Sequence, residues 1–91
     1  MYSINPTPND VSQELAKRHK ALRKQLKLSQ AELAERSGVS LGSLKRFETT
    51  GQISLESLLK LAHLLNRLPD FKSVFQAKGD MGNIEGLFTS K

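Results

Sequence analysis

Ninety-one residues, 37% hydrophobic and 25% charged, describe one small globular unit with material for a single core and no second domain. The chain has no Cys, which excludes a disulfide scaffold and a thiolate metal site; its two histidines, His19 and His63, lie far apart and read as surface or boundary residues rather than metal ligands. Fourteen Lys and Arg against nine Asp and Glu give a net charge of +5, and the excess is local: from Lys17 to Arg46 nine cations stand against Glu32 and Glu35 alone, a window of +7, while the remainder carries −2. Such a window is the footprint of a polyanionic partner or, in the plainer alternative, a solvated basic face.

Apolar runs are too short to span a bilayer, and the first residues have neither the basic nor the apolar region of a signal peptide, so the expected location is the cytoplasm. Residues 1–9, with Pro6 and Pro8, read as a flexible arm. A first helix is expected from Asp10, where Asp10 and Gln13 form a candidate capping box, with Val11, Leu15, Leu22 and Leu26 as its apolar stripe. Ser29 and Glu32 form a second box opening a helix that Gly38 ends. Ser40 caps a third helix, which carries Leu44 and Phe47 on one face and breaks at Thr49-Thr50-Gly51. Ser54 caps a fourth, with Leu55, Leu58, Leu59, Ala62 and Leu65 at helical spacing, stopped by Asn66 to Pro69. Pro69 suits the first turn of a fifth, short helix bearing Phe71, Val74 and Phe75, whose two rings exceed what self-coverage needs and point to a dimer contact. Residues 77–91 read as a tail in which Ile84, Leu87 and Phe88 offer a segment for a protein partner. The expected fold is all-α, with the domain at 10–76.

The segment Gln30 to Phe47 carries the functional reading. Two short helices flank Gly38-Val39-Ser40, and Ala34 lies four residues before the glycine. Two helices cross closely only where the contact residue is small and the turn accepts a left-handed residue, and Ala34 and Gly38 meet those demands. Val39 and Leu44 would then pin the second helix to the core and leave Leu41, Gly42, Lys45 and Arg46 outward, on a face that fits a major groove. No pattern of nucleophile, base and carboxylate appears, so no catalysis, cofactor or metal is expected.

The string Leu28-Ser29-Gln30-Ala31-Glu32-Leu33-Ala34-Glu35-Arg36-Ser37-Gly38-Val39-Ser40, with Leu44 and Glu48 after it, resembles the Cro/CI-type (XRE family) helix-turn-helix proteins. The resemblance implies five helices, helix 2 at 30–37, a recognition helix at 41–48, and operator binding as a homodimer. It implies base contacts from Ser40, Leu41, Gly42 and Arg46, joined by the outward Lys45. It implies phosphate contacts from Gln30, Ser43 and Thr49, and an ion pair between Arg23 and Glu48 that also turns Arg23 toward the DNA backbone. Leu41 and Gly42 stand where polar readers are frequent, so direct readout would lean on Arg46 and Lys45.

The stretch Phe47-Glu48-Thr49-Thr50-Gly51-Gln52-Ile53-Ser54-Leu55-Glu56-Ser57-Leu58, with Leu68-Pro69-Asp70-Phe71 beyond it, also resembles the HipB-like antitoxins that pair with HipA-like kinase toxins. That resemblance implies a repressor of its own operon that holds the kinase toxin in a complex. The alternatives are a plain phage- or operon-type repressor without a toxin partner, and a weakly specific nucleic-acid-binding protein.

Overall fold

The computed structural model describes residues 5–77. Four α-helices follow one another: α1 (Pro8–Gln25), α2 (Gln30–Ser37), α3 (Leu41–Thr50) and α4 (Leu55–Leu64), and a single 3-10 turn covers Leu68–Phe71. Among the described residues there is no strand.

Each helix begins where a short hydroxyl side chain replaces a missing backbone partner. Ser29 accepts from the Glu32 amide at 3.0 Å while Glu32 accepts from the Ser29 amide at 2.8 Å. Ser40 caps α3 and Ser54 caps α4 in the same way, each accepting from the amide three residues on. The start of α1 differs from the sequence expectation. Thr7, not Asp10, is its cap: the Thr7 hydroxyl accepts from the Asp10 amide, and the Asp10 carboxylate accepts from the Thr7 amide, both at 3.0 Å. Asp10 is thus the third residue of a box one turn earlier, and Pro8 takes the first helical position, where its missing N–H costs nothing. Gln13 instead reaches across the fold, its side-chain amide donating to the Thr50 carbonyl at 2.9 Å.

The core is built from Leu33, Val39, Leu44, Phe47, Leu61 and Leu65, with Ala16 and Ala34 where helices approach closely. Phe47, Leu33, Leu44 and Leu61 are its largest fully buried side chains. Two expected apolar stripes are corrected. In α1 the buried line is Ala16, His19 and Arg23, with Leu15 and Leu22 beside it, whereas Val11 and Leu26 are exposed. In α4 the inward residues are Leu61, Ala62 and Leu65, supported by Leu58; Leu55 stands outside, 67% exposed. A helix as apolar as α4 has more than one stripe with helical spacing, and the neighbouring α2 decides which turns inward.

The expected fifth helix is not formed. Beyond Pro69 the backbone bonds run three residues back, from Lys72 to Pro69, Val74 to Phe71 and Gln76 to Ser73, and Phe75 takes a left-handed φ of 64°. A helix of so few residues persists only when an apolar face is packed. Here Phe71 is half-buried, while Val74 and Phe75 are exposed among the described residues. The expected tail segment with Ile84, Leu87 and Phe88, and residues 1–4 of the expected arm, lie outside the described residues; of the rest of the arm, Thr7 caps α1 and Pro8 and Asn9 belong to it.

Gly38 and Gly51 end α2 and α3 with φ of 80° and 82°. Their surroundings differ. A Cβ on Gly38 would meet nothing, whereas one on Gly51 would come within 3.0 Å of the Ser12 backbone. Gly38→Ala should therefore cost only the left-handed penalty of about 1 kcal/mol. Gly51→Ala should cost clearly more, about 2–3 kcal/mol, because the α1–α3 contact must also open. Urea unfolding of the two variants would check this ordering, and equal costs would contradict it.

Candidate nucleic-acid interface

The turn Gly38-Val39-Ser40 joins α2 to α3 as the sequence predicts. Ala34 is buried at the crossing, Gly38 is left-handed, and Val39 is buried beneath the turn. The apolar residues of α3 fall on one side, Leu44 and Phe47 wholly buried and Leu41 half-buried against the core. Its other side presents Gly42, Lys45, Arg46 and Thr49, one helical strip, with Ser43 beside it, all exposed. Leu41 is thus not fully outward: it lies one turn before Leu44 and shares its inward stripe.

The Ser40 hydroxyl is occupied in part by capping, accepting from the Ser43 amide at 3.1 Å and donating to the Ser43 hydroxyl at 2.9 Å. The Thr49 hydroxyl turns back to donate to the Lys45 carbonyl at 2.9 Å. Arg46 extends along the surface and donates from Nη2 to Oε1 of Gln52 at 2.7 Å. Lys17, Lys20, Lys24 and Lys27 are all exposed on and just after α1.

Behind this face lies a polar cluster that fixes α3. The Glu48 carboxylate, 2% exposed, accepts from Arg23 twice, at 2.9 Å from both Nε and Nη2. It also accepts from the Gln30 amide at 2.9 Å and lies 2.8 Å from Nδ1 of His19. Three side chains from two helices, His19 and Arg23 of α1 and Gln30 of α2, thus converge on one carboxylate of α3. The expected Arg23–Glu48 pair is present, and it turns most of the Arg23 guanidinium inward. Its remaining nitrogen, Nη1, donates to the Leu28 carbonyl at 2.8 Å, and the side chain is only 8% exposed. Three of its five N–H donors are thus engaged inside the protein. Gln30 keeps its place at the first turn of α2, with one amide hydrogen bond directed inward to Glu48.

His19 is the residue that sequence reasoning misplaced. It is buried, not peripheral, and its ring stands edge-on to Phe47 with centroids 5.3 Å apart. The helical spacing of Ala16, His19 and Arg23 carried the signal, since a buried Arg23 brings His19 with it. Nε2 of His19 is buried and has no hydrogen-bond partner. With Nδ1–H donating to Glu48, a neutral ring leaves a bare lone pair at Nε2, and a proton there would be an unsatisfied buried donor.

Burial is the largest influence on the imidazole and holds its pKa below the ordinary 6.5; the Glu48 carboxylate opposes this, and the Arg23 charge adds to it. For Glu48 burial pushes upward, but hydrogen bonds from Arg23 and Gln30 prevail and hold it below 4.5. Both folded-state values lie below the unfolded ones, so both groups lose stability as pH falls. Stability should be level above about pH 7, decline as pH drops through about 6.5 while unfolded chains take up the His19 proton, and decline again below about 4.5. Urea midpoints from about pH 7.5 to 5.5 would show the first step, and His19→Gln should abolish it. A flat wild-type profile across that interval would contradict the assignment.

Among the described residues, no helix is long and apolar enough to cross a membrane, and no group of three or more His, Asp or Glu could hold a metal ion. No match to the chain is found among curated proteins or among solved structures. A helix-turn-helix family model (HTH_3) matches residues 20–71, more than half of the chain and the whole span from mid-α1 through the 3-10 turn. That span holds the small-residue crossing, the left-handed turn and the polar face of α3, and the chain therefore belongs to the Cro/CI-type helix-turn-helix family, as a DNA-binding transcription regulator.

Proposed function

We propose that the protein is a sequence-specific repressor that binds its operator as a homodimer, with α3 lying in the major groove. The observation that carries this reading is the exposed strip Gly42, Lys45, Arg46 and Thr49 on a helix braced from behind by the buried Arg23–Glu48 pair. Base contacts come from Ser40, Leu41, Gly42, Lys45 and Arg46; phosphate contacts come from Gln30, Ser43 and Thr49, with the α1 lysines adding general attraction. Leu41, half-buried, offers only an apolar edge, suited to a thymine methyl. Arg23 serves through its ion pair, aligning α1 with α3. Phe71, Val74 and Phe75 supply the dimer contact, a role supported by the exposure of Val74 and Phe75 among the described residues.

The similarity of 47–58 and 68–71 to the HipB-like antitoxins supports a narrower reading. The protein would be the autoregulating, cytoplasmic antitoxin of a type II toxin–antitoxin operon, with residues 77–91 engaging a HipA-like kinase toxin.

Arg46→Ala and Lys24→Ala test the base-reading assignment. Arg46 should read a guanine, and its loss should cost about 1–3 kcal/mol on the cognate duplex with far less on random DNA. Lys24, on α1, should lose similar small amounts on both. Anisotropy titrations of a duplex enriched by the protein from a randomised pool, against a scrambled duplex, separate the two. Equal losses on both duplexes for Arg46→Ala would make Arg46 a phosphate contact.

A further inference from the structure

The turn between α3 and α4 places Gln52 beside Arg46. Gln52 accepts from Nη2 of Arg46 at 2.7 Å. The Gln52 backbone N–H donates to the Thr50 hydroxyl at 3.1 Å, and that hydroxyl donates to the Arg46 carbonyl at 2.7 Å. Three hydrogen bonds thus start and end on Arg46, closing a ring through the turn. The turn itself is held against α1: Gln13 donates to the Thr50 carbonyl, and Gly51 is packed on the Ser12 backbone. The position of Gln52 is therefore set by the fold, although its side chain stands at the surface.

We infer that Gln52 is a positioning residue for Arg46, holding its guanidinium in one direction before DNA arrives. This rests on Arg46 reading a base. The chemistry follows from which atoms face each other. Because Oε1 of Gln52 is turned toward Arg46, its amide nitrogen faces away. The Arg46 N–H groups that this bond leaves over are donors alone. A donor-only surface suits the two acceptors, O6 and N7, on the major-groove edge of guanine, and clashes with the amino group of adenine or cytosine. A free arginine side chain must give up its rotamer freedom on binding; one already held loses less, and the gain is larger at one base than at phosphates of any sequence.

A double-mutant cycle on DNA binding tests this, using the pool-enriched duplex and a scrambled one as probes. Gln52→Ala should weaken the enriched duplex by about three-fold or more and leave the scrambled duplex and the thermal melt nearly unchanged. In an Arg46→Ala background, already weakened by about ten-fold or more, Gln52→Ala should have no further effect. In the free protein, the Arg46 guanidinium NMR signals should show hindered rotation that Gln52→Ala releases. An equal loss from Gln52→Ala in both backgrounds would mean that Gln52 acts on DNA by itself or through the fold, and overturns the inference. Free rotation of the Arg46 guanidinium in the wild type overturns it as well. If Arg46→Ala alone changes nothing, the base-reading role of Arg46 fails first, and this inference with it; if Arg46→Ala weakens binding but Gln52→Ala does not, only the inference fails.

Discussion

Glu48→Ala is expected to cost about 3–5 kcal/mol of folding stability and to lower the melting point by about 15 °C or more. Removing the carboxylate leaves the Arg23 guanidinium buried without a counter-charge, leaves the His19 Nδ1–H and a Gln30 amide hydrogen without their acceptor, and opens a gap between α1, α2 and α3. A domain of this size has only about 5–15 kcal/mol in total, so the variant should be partly unfolded at physiological temperature. Glu48→Gln keeps the shape and one acceptor but not the charge, and should fall between. Glu35→Ala, on the exposed side of α2, should stay within about 0.5 kcal/mol of wild type. A Glu48→Ala melt within about 5 °C of wild type would show that the cluster contributes little.

The size of that loss does not make the cluster a net stabiliser. Breaking a buried pair is costly, whereas replacing the whole set with apolar side chains is often neutral. What apolar side chains would not reproduce is direction. Two parallel bonds from Arg23, one from Gln30 and one from His19 fix where α3 stands relative to α1 and α2, and so fix how Gly42, Lys45 and Arg46 face outward.

The boundaries of α2 and the starts of α3 and α4 were legible because their chemistry is local. Ser29, Glu32, Ser40 and Ser54 satisfy amides three residues away, and Gly38 takes a φ that few other residues accept. The start of α1 was misread because Asp10 serves equally well as a cap or as the third residue of a box, and only Thr7 distinguishes the two. The α1 stripe was misread because its buried side is polar: periodicity of apolar residues pointed to Val11 and Leu26, while a carboxylate twenty-five residues beyond Arg23 in sequence drew His19 and Arg23 inward. The same distant partner drew the Arg23 guanidinium into the buried cluster. Phe71, Val74 and Phe75 showed the composition of a helix face, but among the described residues Val74 and Phe75 stay exposed, and so short a face does not hold a helix without packing. The Gln52–Arg46 contact had no sequence signal, since neither residue type nor a spacing of six implies it.

Operator binding should weaken by about a thousand-fold between about 50 and 200 mM salt. The +7 window from Lys17 to Arg46 and the start of α2 beside it supply the phosphate contacts. With about three phosphates neutralised per protomer, a dimer releases about six counterions, and log K should fall against log salt with a slope of roughly −5. One protomer acting alone should give about half that slope. Two copies of α3 should read half-sites about 34 Å apart, one turn of the duplex, so the enriched sequence should be a near-palindrome of that spacing. Anisotropy at four salt concentrations gives the slope, and mass measurement of the complex gives the number of protomers. Replacing Phe75 by Ser should leave the melt of the protomer nearly unchanged, because that ring is fully exposed at 101%, yet move the slope toward the single-protomer value if it joins the two copies. A wild-type slope near −1, or a single protomer on the enriched duplex, would overturn the dimeric reading and leave the basic window as a solvated face.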